Sequence, residues 1–297
     1  MAVTSTSIDL HLHSTSSDGK LSPTAVVELA AQRGLDLIAL TDHDTLHGIA
    51  EAQEAGRRLG VAVRPGIEVS GKYTGGQCHL LIWLPDPVPA PFVEWTHEKE
   101  RDRETRAREM VERLQAHGSQ VTWEQVRTQA ANNIGRPHVA DALIAVGEAT
   151  DRRDAFTTKI GNDCPAYVPS GKTEPTAVIE RAVAAGALVS LAHPYSLRLE
   201  GADLDAYVAQ LAEAGLGAIE AHRGDQDAAE QAAYHALAQR HGLLVSVGSD
   251  FHDFDREEPD AVGKRRGLGW GGDPGISASD VEALLSRLPG ARDALAG

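Results

Sequence analysis

Nine histidine, aspartate and glutamate residues lie scattered between positions 11 and 252, each where a short apolar segment begins or ends: His11, His13, Asp18, His43, Glu68, His79, His193, Asp250 and His252. They occur in compact groups. His11-Leu12-His13 is followed by Asp18, and the others are Thr41-Asp42-His43-Asp44, Ala192-His193-Pro194 and Ser249-Asp250-Phe251-His252. A fold that uses them together must bring the ends of nearly every strand to one rim. Imidazole nitrogens and carboxylate oxygens without thiolates suit Zn, Mn or Fe. Nine donors exceed what one ion takes up, so the pattern predicts a cluster of two or three divalent ions.

The segments between these groups alternate. Strands are expected at 8–13, 36–41, 61–70, 77–84, 187–192, 216–221 and 243–248, with helices at 23–33, 45–59, 174–185, 204–214, 227–241 and 279–287. Ser22 reads as the N-cap of the first helix, with Pro23 in its first turn. Repeated βα units imply a mainly parallel sheet, open or closed into a barrel. An open sheet gathers ligands at one switch point, whereas a barrel collects side chains from the ends of many strands at its C-terminal rim. The distribution of the nine residues therefore favours a seven-stranded (β/α)7 barrel. The alternation breaks at Pro85-Asp86-Pro87-Val88-Pro89-Ala90-Pro91, a linker by composition. From there to about residue 169 the pattern is helical and charged. The expected organisation is a barrel from 1–90 and 170–297, with a helical insert subdomain, 91–169, covering the active site. The charge run over 98–113 reads as a solvated helix face.

His11 and His13, two apart on a strand, face the same side. His79 begins a strand, the wrong end of a parallel barrel. Lys72-Tyr73-Thr74-Gly75-Gly76 reads as a turn, however, and a hairpin centred between Tyr73 and Thr74 would set residue 79 directly opposite Glu68. Directly opposed residues have Cβ atoms roughly 5 Å apart. Asp42 or Asp44 could hold the His43 ring through its other nitrogen, and Asp44 is expected to cap the next helix. The small residues closing Val245-Ser246-Val247-Gly248 allow a close backbone approach.

Substrate groups are sparser. Gly135 precedes a helix predicted to run to about Val146, and Arg136 and His138 lie at its start, a natural phosphate site; His138 or His222 could protonate the leaving oxygen. In Glu220-Ala221-His222-Arg223, His222 is a candidate proton donor or substrate contact and Arg223 a candidate phosphate ligand. Tyr195 is a further substrate-contact candidate. His47, His97, His117, His235 and His241 fall on predicted helices or their ends and read as surface residues.

The formal net charge is −15. This disfavours an extended footprint on duplex nucleic acid, which needs clustered Lys and Arg. It permits a small phosphorylated substrate, because bound cations supply local positive charge. Cys78 and Cys164 form no C-x-x-C pair, which argues against both a disulfide framework and a thiolate zinc site. The first residues carry no basic-then-apolar leader, and no apolar run of about 18 residues occurs. A cytoplasmic protein with no membrane segment is the expectation.

Together the H-x-H-x4-D, T-D-H-D, A-H-P and S-D-F-H motifs, with Glu68 and His79, resemble the PHP family, named for polymerase and histidinol phosphatase domains. The resemblance covers nearly the whole chain. It implies a distorted seven-stranded barrel with a di- or trinuclear centre of Mn, Fe or Zn. It looks most similar to the stand-alone phosphoesterase branch with a helical insert, which holds nucleoside 3′,5′-bisphosphate phosphatases, AMP phosphatases and a 5′–3′ exoribonuclease. Asp18, where histidinol phosphatases tend to carry His, favours that branch. By this resemblance one ion would take His11, His13, Glu68 and Asp250. A second would take Glu68, His79 and His193, and a third Asp18, His43 and His252. Arg136 and His138 match an Arg and a His of the branch that face the substrate phosphate. Some members carry two lysines in a stretch F-x-K-Y-L-x-x-G-K. On an ungapped match these fall at Thr158 and Cys164, which places selection of a second phosphate in question.

The resulting expectation is a metal-dependent phosphoesterase. It would hydrolyse a phosphate monoester of a small nucleotide, such as a nucleoside 3′,5′-bisphosphate or AMP, through a metal-bound hydroxide. The alternatives are a 5′–3′ exonuclease on short RNA or DNA oligonucleotides, a histidinol-phosphate-type phosphatase, and a non-catalytic metal-binding module.

Overall fold

In a computed structural model, residues 6–130, 133–169, 173–224, 226–253, 268 and 276–296 are described. Apolar runs such as Leu37-Ile38-Ala39-Leu40 are buried along their whole length, as expected for strands covered on both faces. The strands are β1 (Ile8–Leu12), β2 (Leu37–Leu40), β3 (Ala62–Gly71), β4 (Cys78–Trp83), β5 (Leu188–Leu191), β6 (Ala218–His222) and β7 (Leu244–Val247). They form one sheet in sequence order. All neighbouring pairs are parallel except those of β4, which runs antiparallel to both β3 and β5. The sheet curls strongly. Just after β7, Asp250 N donates to His11 O at 2.9 Å and His13 N donates to Phe251 O at 3.0 Å. These bonds draw the two ends of the sheet together, so the α/β architecture is the distorted seven-stranded barrel.

Helices α1 (Pro23–Gln32) and α2 (Ile49–Leu59) pack outside the first strands. Ser22 caps α1 as expected, its side chain accepting from Ala25 N. Helix α2 starts later than the sequence implied, because Gly48 and not Asp44 is its N-cap. Asp44 adopts a positive φ of 53° and pairs elsewhere.

The β3–β4 hairpin also differs from the expected register. Ser70 opposes His79, and Glu68 opposes Leu81. The offset is two residues, and side chains alternate with a period of two. His79 and Glu68 therefore remain on one face as diagonal neighbours.

After β4 comes α3 (Ala90–Ala116), 27 residues long. Its first turns send Phe92 and Trp95 into the core of β3–β5. Its later turns contribute Ala107, Met110 and Leu114 to a separate core. That second core also takes residues from α4 (Trp123–Thr128), α5 (Arg136–Ala145) and α6 (Arg152–Ala155), and from the π-helical turn Phe156–Ile160. The chain returns to the barrel through α7 (Pro175–Ala184), α8 (Gly201–Glu213), α9 (Ala228–Arg240), α10 (Ala278–Arg287) and α11 (Ala291–Ala296).

Trp83 at the end of β4 is fully buried. Its indole N–H donates to Leu10 O at 3.0 Å, tying the reversed strand to β1. Trp83→Ala should destabilise the protein by about 3–5 kcal/mol, read from the denaturant midpoint. A loss under about 1 kcal/mol would show that barrel packing does not depend on this residue.

Candidate metal centre

The site is built around Glu68 on β3, whose side chain is fully buried. Oε1 lies 2.8 Å from His79 Nδ1 and 2.9 Å from His193 Nε2. Oε2 lies 3.2 Å from His11 Nε2, 3.1 Å from His13 Nε2 and 3.2 Å from His43 Nδ1. Five imidazoles from four segments of chain thus converge on one carboxylate. Asp250 Oδ1 stands 3.4 Å from Nε2 of both His11 and His13. Asp18 Oδ1 is 3.4 Å from His252 Nε2 and 4.0 Å from His43 Nε2. The structure therefore brings all nine residues to one rim.

The donor set fits cations. His252 Nδ1 is 2.9 Å from the Asp250 carbonyl, which can only accept. Nδ1 therefore carries a proton, and Nε2 is the nitrogen turned toward Asp18 and the cluster. Ser196 Oγ donates to Gln77 O and so accepts from His193 Nδ1, at 3.0 Å. This directs His193 Nε2 at Glu68. Orientation of a ligand imidazole through its second nitrogen is the usual arrangement at metal sites. Two pairs of ring nitrogens face each other closely, His11 Nε2 with His13 Nε2 at 3.1 Å and His79 Nδ1 with His193 Nε2 at 3.3 Å. Buried Glu68 Oε2, His13 Nδ1 and His43 Nδ1 make no hydrogen bond of acceptable geometry. Three groups could each hold an ion: His13, Asp18, His43 and His252; His11, His13, Glu68 and Asp250; and His43, Glu68 and His79.

Burial works against ionisation of Glu68, Asp18 and Asp250, but the surrounding histidines outweigh it and hold all three carboxyls well below their ordinary range. Burial pushes His43 down to about 3, the neutral form a ligand requires. His13 resists burial through Asp250 and Glu68, which lift it to about 10, so cation uptake there must displace a proton. His193 and Asp250 hold positive φ values of 28° and 55°, conformations that non-glycine residues rarely adopt outside functional sites.

Above the cluster lies a cavity of about 420 Å³. Asp18, His43, His79 and His252 line it together with Arg103, Arg106, Arg136, Arg152 and Arg153. Arg103 Nη1 donates to Asp44 Oδ2 at 2.7 Å. Arg152 grips Asp141 through two bonds of 2.7 and 2.6 Å. Arg106 Nε donates to Val168 O, and Arg136 stacks over Phe156. Burial, then the charge of Arg136, lowers Arg106 to about 10, and burial lowers Arg136 as well.

The charge run of 98–113 is thus not simply a solvated face: Arg103 and Arg106 turn to the cavity from α3. The apolar residues Ala107, Met110 and Leu114 on the same helix were the available sign of an inward face.

The remaining predicted residues lie off this cavity. His138 is buried, and its Nδ1 accepts from Gly135 N at 3.0 Å, closing the first turn of α5. His222 ends β6, buried and close enough to Asp280 for its charge to bear on that carboxyl. Arg223 is buried, 3.5 Å from Asp250 Oδ2. Tyr195 is 44% exposed, with its ring stacked on Arg223. Asp42 accepts from Ser14 and Ser17 rather than from His43. Of the histidines read as surface residues, His241 is largely covered and pairs with Asp205. Glu220, not singled out from sequence, contacts both His11 and His193. An acid within the apolar run of β6 was its only signal.

A barrel rim carrying buried His, Asp and Glu clusters beneath an arginine-lined cavity defines a metal-dependent hydrolase acting on phosphoesters. Residues 9–124 match the PHP domain. The chain is 30% identical to a 5′–3′ exoribonuclease of Haemophilus influenzae, over 82% of this chain and 89% of the relative. It is 32% identical to a 3′,5′-nucleoside bisphosphate phosphatase of Chromobacterium violaceum, over 82% and 87%. A crystal structure from Bifidobacterium adolescentis, described as that of a metal-dependent phosphoesterase, superposes with a TM-score of 0.80 at 31% identity, covering 94% of this chain and 96% of that one. The chain belongs to the PHP family, in its stand-alone phosphoesterase branch. Among the described residues, no helix is long and apolar enough to cross a membrane.

Because the clustered donors come from separate loops, ions bound only by the folded state should stabilise it. At a free ion concentration about 100 times Kd, the expected gain is about 2.7 kcal/mol. Thermal unfolding of chelator-treated protein, with and without added Mn²⁺, checks this. An unchanged midpoint would count against ion binding at the centre.

Proposed function

We propose that the protein hydrolyses a phosphate monoester of a small nucleotide, such as a nucleoside 3′,5′-bisphosphate or AMP. In this reading His11, His13, Asp18, His43, Glu68, His79, His193, Asp250 and His252 hold two or three divalent ions of Mn, Fe or Zn. The observation that carries it is the cavity, which joins the ligand cluster to a wall of arginines. Its size falls within the roughly 300–1,000 Å³ typical of small-molecule sites. The names of the two relatives, a bisphosphate phosphatase and an exoribonuclease, support a nucleotide substrate.

Divalent cations supply Lewis acidity at the phosphoryl oxygens and a more acidic water when bound. The chain's own residues provide the rest. Arg136 and Arg106 orient the phosphate by charge-assisted hydrogen bonds. His138 holds the Gly135 turn that presents Arg136. Arg223 braces Asp250 from below. The helical insert, 91–169, closes over the rim and sets which substrates enter.

A second reading has a specific observation behind it. Besides the carboxylate-paired Arg103 and Arg152, the cavity is lined by Arg106, Arg136 and Arg153, more than one phosphate monoester needs, which favours a substrate with several phosphates, including a short oligonucleotide processed from its 5′ end.

Phosphate release should be measured from AMP, 3′,5′-bisphosphorylated adenosine, histidinol phosphate and a short 5′-phosphorylated RNA, each with Mn²⁺ and with chelator. Mn²⁺-dependent release from a mononucleotide supports the first reading, and release of mononucleotides from the RNA alone supports the second. Turnover of histidinol phosphate alone, or of nothing by metal-loaded protein, would overturn both. His43→Ala should abolish turnover and lower metal content while the circular dichroism stays that of the parent; full activity would remove His43 from the centre. Arg136→Ala should leave metal content unchanged and cost kcat/KM about 1.5–3 kcal/mol, the usual range for a hydrogen bond to a charged group. An unaltered kcat/KM would return Arg136 to the surface.

A further inference from the structure

Glu220 belongs to none of the donor groups, yet it is fully buried beneath them. Its Oε1 lies 2.8 Å from His11 Nδ1, and its Oε2 accepts from the backbone N–H of His193 at 2.7 Å. A carboxylate can only accept, so the His11 proton is fixed on Nδ1. Nε2, the nitrogen an ion would meet, then points at Glu68, Asp250 and His13. The second bond holds the strained residue of the β5 loop, His193, with its φ of 28°. One side chain on β6 thus orders residues that end β1 and β5.

Two further features serve this arrangement. Arg223, with no side-chain exposure, places Nη1 at 3.8 Å from Glu220 Oε2 and Nη2 at 3.5 Å from Asp250 Oδ2. It balances charge between the two carboxylates and leaves Asp250 Oδ1 as the oxygen facing His11 and His13. Gly248 provides the space. A Cβ there would come within 2.2 Å of His11 Cβ and 2.6 Å of Glu220 Oε1. The backbone after β7 can therefore pass this pair only as glycine.

We propose that Glu220, braced by Arg223, is a positioning residue that sets the affinity of the ions held by His11 and by His193, and leaves the group of Asp18 and His252 unaffected. The selectivity follows from reach: Glu220 bonds to His11, of the group with His13, Glu68 and Asp250, and to His193, which lies against Glu68, while His252 is oriented by the Asp250 carbonyl instead. The inference rests on the reading of the clusters as ion sites.

The test compares parent, Glu220→Gln and Glu220→Asp, freed of metal and titrated with Co²⁺ against a chromophoric chelator, with the visible Co²⁺ spectrum recorded. Gln keeps the shape but presents an NH2 where one partner needs an acceptor. Asp keeps the charge but is one methylene too short for both partners. Both variants should weaken a subset of the sites by about 10–100-fold, as loss of an outer partner does elsewhere, and the spectrum of that subset should change. The remaining site and the unfolding midpoint of the metal-free protein should match the parent. Parent-like affinity at every site in both variants would overturn the proposal. So would uniform weakening with a lowered metal-free midpoint, which would mark Glu220 as merely structural. Absence of Co²⁺ binding by the parent would instead overturn the reading of the clusters as ion sites.

Discussion

Everything at this rim depends on the convergence of imidazoles on Glu68. Burying an ionised carboxylate costs several kcal/mol even after relaxation, and here three carboxyls are held ionised within one small volume. The fold tolerates this only because β1, β2, β4, β5 and β7 deliver histidines to the same point. A barrel achieves that more readily than any open sheet, since its strand ends form a ring. The strained backbone at His193 and Asp250 belongs to the same arrangement, as does the glycine that lets the chain after β7 pass His11.

The reversed strand β4 solves two geometric problems together. A parallel fourth strand would place residue 79 at the floor of the barrel; the hairpin returns it to the rim beside Glu68. Running downward, β4 also ends far from the site, and α3 must climb back. At about 1.5 Å per residue, its 27 residues span about 40 Å, enough to pass the barrel wall with Phe92 and Trp95 packed against it and to overshoot the rim. Arg103 and Arg106, midway along the helix, then line the same cavity as Asp18, His43, His79 and His252. The Arg103–Asp44 pair ties the helix to the loop after β2, so the insert and the ligand loop share an attachment.

The nine rim residues were legible in the sequence because metal chemistry places polar donors at the ends of strands that are otherwise apolar, a contrast that survives errors in strand boundaries. The His79–Glu68 relation even survived a wrong register, since a slip of two residues preserves the face. What was not legible had no such contrast. Asp44 looks like a helix cap because Asp commonly is one, and only the tertiary partner Arg103 reveals otherwise. Arg103 and Arg106 vanish into a helix whose charges dominate its apolar period. His138 and Arg223 stood out by residue type and by a helix start or strand end, and neither says whether a side chain faces a cavity or supports one that does.

Charge patterning separates what the whole molecule repels from what its site admits. A net charge of −15 creates a repulsive field for polyanions at long range, screened beyond a Debye length of about 8 Å at physiological salt. Within the cavity the balance inverts. Five arginines line it; in this partly dehydrated space burial and then Arg136 raise the cost of charge on Arg106, and burial and then Arg103 raise it on Arg136. An entering phosphate relieves that repulsion while giving up its own hydration, so the gain is largest for a compact anion that fits wholly inside. A long duplex would gain from the same few arginines and lose along the rest of its length. Under the proposed function, the acidic exterior and the basic cavity would therefore act together, as a filter for short anionic substrates.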